Sequence, residues 1–332
     1  MPELDDDTPV GALGEDEILA RILARLGPSP ALVGPGDDAA VLALADARTV
    51  VTTDTLVHGP DFRLAWSDGD DLGAKAAAVN LADVAAMGAR PIALFVALAM
   101  PDSTTIGFVD ALARGLRSAC DELAPGCHVA GGDLTVSDTL MIAVTAVGEL
   151  PDGARPVLRS GARPGDVVAV AGDLGLAARG LDVLFERFRD AEGAPIPVDR
   201  GVLSSADAAA VAAQLRPRPP IEAGVRAARA GAHAMMDLSD GLVRDARRMA
   251  RASEVTIDLA ADALGDDPSR ALSGGEDHGL LATFDPRMAM PPGFRRIGSV
   301  SDEAPGVVTV DGVVVTATGG WDPYAAWDRA RG

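Results

Sequence analysis

Apolar positions change their period several times along the chain, and the changes mark out its elements. Ile18, Leu19, Ile22, Leu23 and Leu26 recur at helical spacing behind Glu15-Asp16-Glu17, whose charge suits the positive end of a helix, and Gly27-Pro28 stops the run. The alanine-rich stretch 71–87, with Gly88 past its end and Pro91 soon after, predicts a second helix, and 106–123 a third. The short apolar runs 48–53, 92–100 and 140–147 read as strands, the first delivering Asp54 at its end. Pro151-Asp152-Gly153 breaks the pattern, and the turn 160–166 leads into a strand at 167–171. Helices then follow at 174–188, 222–230 and 241–252, and two final runs joined through Asp311-Gly312 signal a hairpin. Residues 190–220 read as loops with one short helix. The fold class is α+β, mixed α/β in two lobes, divided near residue 155 into segments 1–154 and 155–332.

Charge narrows the partners. A net charge of -20 argues against nucleic acid, whose phosphates are bound by clustered cations. Lys75 is the only lysine, a usage read as coding bias. The acidic start has no apolar stretch and so is not a secretory signal, and the longest apolar run, 92–100, falls far short of the roughly 20 residues that span a bilayer. The expected location is the cytoplasm, with no membrane contact. Cys120 and Cys127 fit neither a zinc nor a disulfide pattern and read as reduced, buried thiols, and His58, His128, His233 and His278 stand singly without ligand spacing, which assigns them structural roles.

Candidate chemistry lies in aspartates set among glycine, alanine and threonine: Gly36-Asp37-Asp38, Thr52-Thr53-Asp54-Thr55, Asn80-Leu81-Ala82-Asp83, Gly131-Gly132-Asp133, Asp237-Leu238-Ser239-Asp240 and Gly274-Gly275-Glu276-Asp277. Small neighbours let a backbone approach a ligand, and carboxylate oxygens suit Mg²⁺ shared with phosphates. Each frame also has a plain alternative. Asp38 fits a turn or cap, Gly132-Asp133 a turn at a strand end, Ser239 or Asp240 a helix N-cap, and Gly274-Gly275 a turn entering a strand. Asn80 and Asp83 share one helix face, where a carboxylate needs a cation or a hydrogen bond. Crowding these acids around phosphates without metal costs roughly 4 kcal/mol per pair at about 4 Å, so several divalent ions are expected. No Walker loop or protein-kinase signature is present.

With these motifs in this order, residues 14–328 resemble the thiamine-monophosphate kinase family, within the superfamily of aminoimidazole ribonucleotide synthetase and selenophosphate synthetase. The most specific pieces are Thr53-Asp54-Thr55-Leu56-Val57, the stretch 78–89, 159–166 and Ser273-Gly274-Gly275-Glu276-Asp277. The resemblance implies an N-terminal lobe that binds ATP and pairs with its twin in a homodimer, and a C-terminal lobe that closes over substrate. It implies Mg²⁺ ligands at Asp38, Thr52, Thr53, Asp54, Asp83, Asp133, Asp237 and Asp240. Nucleotide contacts are implied at Gly132, Asp133, Arg159 and Ser239, and thiamine-side contacts at Glu276 and Trp321. Of these, Asp54, Asp83, Asp133 and Arg159 are the expected catalytic set. Asp61-Phe62 stands where the family usually has His-Phe, which makes Asp61 the altered substrate contact, and His278-Gly279 stands where Tyr-Glu is usual.

The implied reaction is ATP-dependent phosphorylation of thiamine monophosphate to thiamine diphosphate. An acceptor phosphate with a second pKa near 6 is largely ionised at neutral pH and needs no side-chain base. The other readings are a second ATP-dependent activity of the superfamily or a nucleotide-binding protein without turnover. The first is disfavoured because neither cysteine lies where selenophosphate or carbamoyl-nitrile chemistry would place one.

Overall fold

The structure, a computed structural model, describes residues 5–33, 42–44, 48–316 and 320. Asp38 and Trp321 lie outside the described residues. The first sheet has the order β1-β4-β2-β3, from β1 (Thr49–Val57), β2 (Arg90–Met100), β3 (His128–Val136) and β4 (Met141–Glu149). β4 runs antiparallel to both neighbours, and β2 pairs with β3 in parallel. α1 (Glu15–Leu26), α2 (Gly69–Ala86) and α3 (Ile106–Leu123) complete this half, and the alternation along the strands turns Leu94, Val96, Ile142 and Val144 toward the helices.

α2 is buried on nearly every side, because it packs against the first sheet, α3 and strands of the second half. An all-round buried helix needs small residues, and its alanines supply them. It nevertheless carries Asp71, Lys75 and Asn80 inside, each at most 3% exposed.

The second sheet has the order β11-β10-β7-β9-β5-β8-β6, from β5 (Val167–Ala171), β6 (Ala234–Leu238), β7 (Thr256–Leu259), β8 (Gly279–Phe284), β9 (Phe294–Ser301), β10 (Val307–Val310) and β11 (Val313–Val314). β5, β6 and β8 are buried at every position, as strands covered on both faces are, and Asp237 in β6 is the one charged side chain among them. α7 (Leu242–Ser253) covers one face, with Met236 and Leu238 beneath it. α6 (Ile221–Arg229) and the end of α2 cover the other, against Met235. α4 (Leu176–Arg187) and α5 (Ser205–Leu215) pack together around Leu184 and Trp66, and α8 (Pro268–Ser273) precedes the glycine turn into β8. Residues 150–166 join the two sheets.

Most predicted elements are present, including the β10–β11 hairpin and both thiols buried and free. Two differ. Asp54 lies inside β1, not at its end, because β4 pairs with β1 along its full length. Gly131-Gly132-Asp133 lies inside β3, because the parallel ladder with β2 runs on to Val136.

Candidate active site

Alternation in β6 decides where the second lobe meets the first. Met236 and Leu238 face α7, so Asp237 shares the opposite face with Met235, the face toward α2. In β1 the same rule turns Thr52 and Asp54 toward α2, in register with Ala146 and Val144. The Thr52 hydroxyl donates to Asp83 Oδ2 at 2.8 Å, and the Asp54 amide donates to Asn80 Oδ1 at 3.0 Å. The helix face of Asn80 and Asp83 therefore meets the strand that carries Asp54.

Three carboxylates from three elements, Asp54, Asp83 and Asp237, come within electrostatic reach of one another. Burial, then Asp237 and Asp54, push the Asp83 carboxyl up to about 7, against the Thr52 hydroxyl and Arg159. Burial raises Asp54, with Asp237 and Glu276 adding and His278 and Asp83 opposing. Such mutual repulsion is what a cation relieves, and hard oxygen donors suit Mg²⁺. Among the described residues no group of three or more acids, histidines or cysteines is placed to hold a metal ion by itself. Mg²⁺ needs only one or two carboxylates beside phosphate oxygens.

A cavity of about 660 Å³ is lined by Asp61, Arg63, Phe185, Gln214, Glu276 and Gly320, the neighbour of Trp321. Asp61 Oδ2 accepts from the Val57 amide at 2.7 Å, and burial raises its carboxyl. Glu276 is bound to Lys75 Nζ at 2.5 Å. Burial opposes the Glu276 charge, but Lys75 and then His278 outweigh it and hold the carboxyl below its usual range. The Glu276 amide donates to the Ser239 carbonyl at 2.8 Å, so the implied nucleotide and substrate loops are tied together.

Other implied residues stand apart. Thr53 points to the opposite face of the first sheet, where it donates to the Val144 carbonyl and accepts from Thr145. Asp133 shares a row with Ala97, Ala143 and Thr55, on that same open face. Three strand spacings, about 14 Å, separate it from the row of β1, and it faces away from Asp54. Asp240 is held by Arg248 at 2.5 Å, and neither it nor Ser239 caps α7, whose N-cap is Gly241 at φ 113°.

Gly132 pairs with Val96, and a Cβ there would lie 2.1 Å from the Val96 carbonyl oxygen. Gly132→Ala is expected to cost about 1–3 kcal/mol as overpacking, read as a lower thermal midpoint. An unchanged midpoint would show that β3 moves freely.

Sequence reasoning missed Lys75, although its being the only lysine was a signal. It also missed Asp245, fully buried beside Asp240, where burial and then Asp237 push its carboxyl to about 7. His278 was read as structural; it is buried at φ 51° and both its ring nitrogens lack partners among the described residues.

Residues 36–150 match the family model for the AIR synthase related protein N-terminal domain, and 163–290 that for the C-terminal domain. The chain is 41% identical to the thiamine-monophosphate kinase of Mycobacterium tuberculosis, across 96% of this chain and 93% of that protein. It is also 41% identical to the Corynebacterium glutamicum enzyme of the same name, across 97% and 96%. Among solved structures, the thiamine-monophosphate kinase of Stenotrophomonas maltophilia superposes with a TM-score of 0.74 at 33% identity, covering 91% of this chain and 98% of that one. A structure described as AaThiL complexed with AMPPCP and TMP superposes at 0.71 and 30% identity, covering 94% and 98%. Escherichia coli HypE, at 0.71 and 17% over 95% of this chain and all of that one, shares the fold alone.

Proposed function

We propose, for a chain that belongs to the AIR synthase related family and within it to the thiamine-monophosphate kinases, that it transfers the γ-phosphoryl group of ATP to thiamine monophosphate in thiamine diphosphate biosynthesis. The observation that carries this reading is the meeting of Asp54 and Asp83 from one lobe with Asp237 from the other, beside the cavity of Asp61 and Glu276.

Asp54, Asp83 and Asp237 would hold Mg²⁺, joined by Asp38 and the Thr52 hydroxyl. Mg²⁺, when bound, supplies the positive charge that lets two anionic reactants approach. Arg159, whose charge opposes the rise of the Asp83 pKa, would assist on the phosphate chain with Ser239. Glu276 and Asp61, on the cavity wall, would hold the thiamine end. An oxygen of the acceptor phosphate forms the new bond to the γ-phosphorus while its bond to the β-bridging oxygen breaks, and ADP leaves. Positioning of this kind supplies much of the rate when both reactants are held in line. Among the described residues no helix is long and apolar enough to cross a membrane.

Asp133 enters this scheme from a second copy. The open face that it shares carries Val51, 60% exposed, with Thr53, Thr55 and Ala97, a surface suited to stacking on its twin in a homodimer. Mixing an inactive Asp133→Asn protein with an inactive Asp54→Asn protein is expected to restore activity in the mixed dimers. Failure of the mixture to recover any activity would remove Asp133 from the partner's site.

Incubation with labelled ATP, Mg²⁺ and thiamine monophosphate is expected to yield labelled thiamine diphosphate. Nucleotide binding without that product would refute the kinase reading.

A further inference from the structure

Resting on that reading of the cavity, we propose that Lys75 is the positioning residue of the acceptor site: its ammonium fixes the Glu276 carboxylate in the orientation that meets the substrate. Lys75 sits on α2 of the first lobe at 3% exposure, and Glu276 belongs to the loop entering β8 of the second. Their ion pair, at 2.5 Å, crosses between the lobes. The same ammonium donates to the Gln214 carbonyl at the end of α5, at 3.4 Å. Two segments that line the cavity, the end of α5 and the loop entering β8, are thus gathered on one cation from α2.

Packing does not explain a lysine here. The neighbours of Lys75 on α2, Leu72, Gly73, Ala74, Ala76, Ala77 and Ala78, are small or apolar, and an apolar side chain would fill the space without the cost of burying an ammonium. The partner also needs holding. Glu276 has φ 70°, a left-handed conformation that non-glycine residues rarely adopt. Its amide bond to Ser239 and the His278 amide bond to Leu238, at 2.9 Å, fix the loop backbone, but only Lys75 is hydrogen-bonded to the Glu276 carboxylate among the described residues. Gln214 lines the cavity too, and its Oε1 is buried with no partner among the described residues, so the cavity floor keeps one acceptor in reserve beside the pair.

The test compares Lys75→Met, Lys75→Arg, Glu276→Gln and the Lys75→Met/Glu276→Gln double variant in steady-state assays, with ATP and thiamine monophosphate varied separately. Lys75→Met is expected to raise KM for thiamine monophosphate about tenfold or more, with KM for ATP within about twofold of wild type. Lys75→Arg, which keeps the charge, should recover part of the loss. In the Glu276→Gln background, Lys75→Met should add little, because the residue acts through Glu276. If Lys75→Met alone fails to fold, the double variant, which removes both charges, gives the comparison against Glu276→Gln. Independent multiplication of the two single effects, or an unchanged acceptor KM in Lys75→Met, would overturn the proposal while leaving the kinase activity standing. A wild-type protein that forms no thiamine diphosphate overturns both.

Discussion

Replacing Asp83 with Asn is expected to lower kcat/KM at least about a hundredfold while making the metal-free protein more stable. The two effects have one cause. Asp83 lies with Asp54 and Asp237 in a partly buried site, where burial and these two neighbours push its carboxyl up to about 7. Asparagine keeps an oxygen to accept from the Thr52 hydroxyl, so the contact between α2 and β1 survives. It removes one of three mutually repelling charges, and a gain of about 1 kcal/mol would raise the midpoint by about 1–2 °C in a chain of 332 residues. Kinetics with Mg²⁺ and melting in excess chelator read the two quantities separately. A variant that lost activity and also melted lower without metal would mean that Asp83 is a structural residue.

Melting across pH, with and without Mg²⁺, should show the second large effect. A carboxyl whose folded pKa is raised, as at Asp83, favours folding while it is protonated, and that contribution is lost as pH climbs from the ordinary carboxylate range through about 7. The metal-free protein should therefore lose stability between about pH 4 and pH 8, by up to about 4 kcal/mol for a single group shifted so far and by less where its neighbours titrate with it. Mg²⁺ competes with the proton for the same oxygens, so its stabilising shift should be small at pH 5 and grow steadily to pH 8. A metal-induced shift that stayed constant with pH would place the ion away from these carboxylates.

Much of the fold was legible because local rules dominate it. The helix 106–123 is bounded by an apolar stripe and found at Ile106–Leu123, and the buried strands β5 and β8 stand out as apolar runs. Strand ends near glycine were harder to read. Gly132 suggested a turn, yet it is the one residue type that lets β3 pass 2.1 Å, in Cβ terms, from the Val96 carbonyl. The candidate site was legible as a set of residues and not as an arrangement. Asp54, Asp83 and Asp237 gather as their frames implied, whereas Thr53 and Asp133 project from the other face of the same sheet.

The amino-acid order by itself determined most of the elements, the acid-rich frames and the resemblance, since helical period, strand alternation and short motifs are properties of neighbouring residues. Only the tertiary structure decided which acids share a space. A side chain's face depends on register, and register is settled by pairing between strands far apart in the chain, as Asp54 with Val144 and Ala97 with Asp133. The same holds for Lys75, which no local pattern distinguishes from an ordinary helical lysine until α2 is enclosed and Glu276 is brought to it from 201 residues away, 276 less 75.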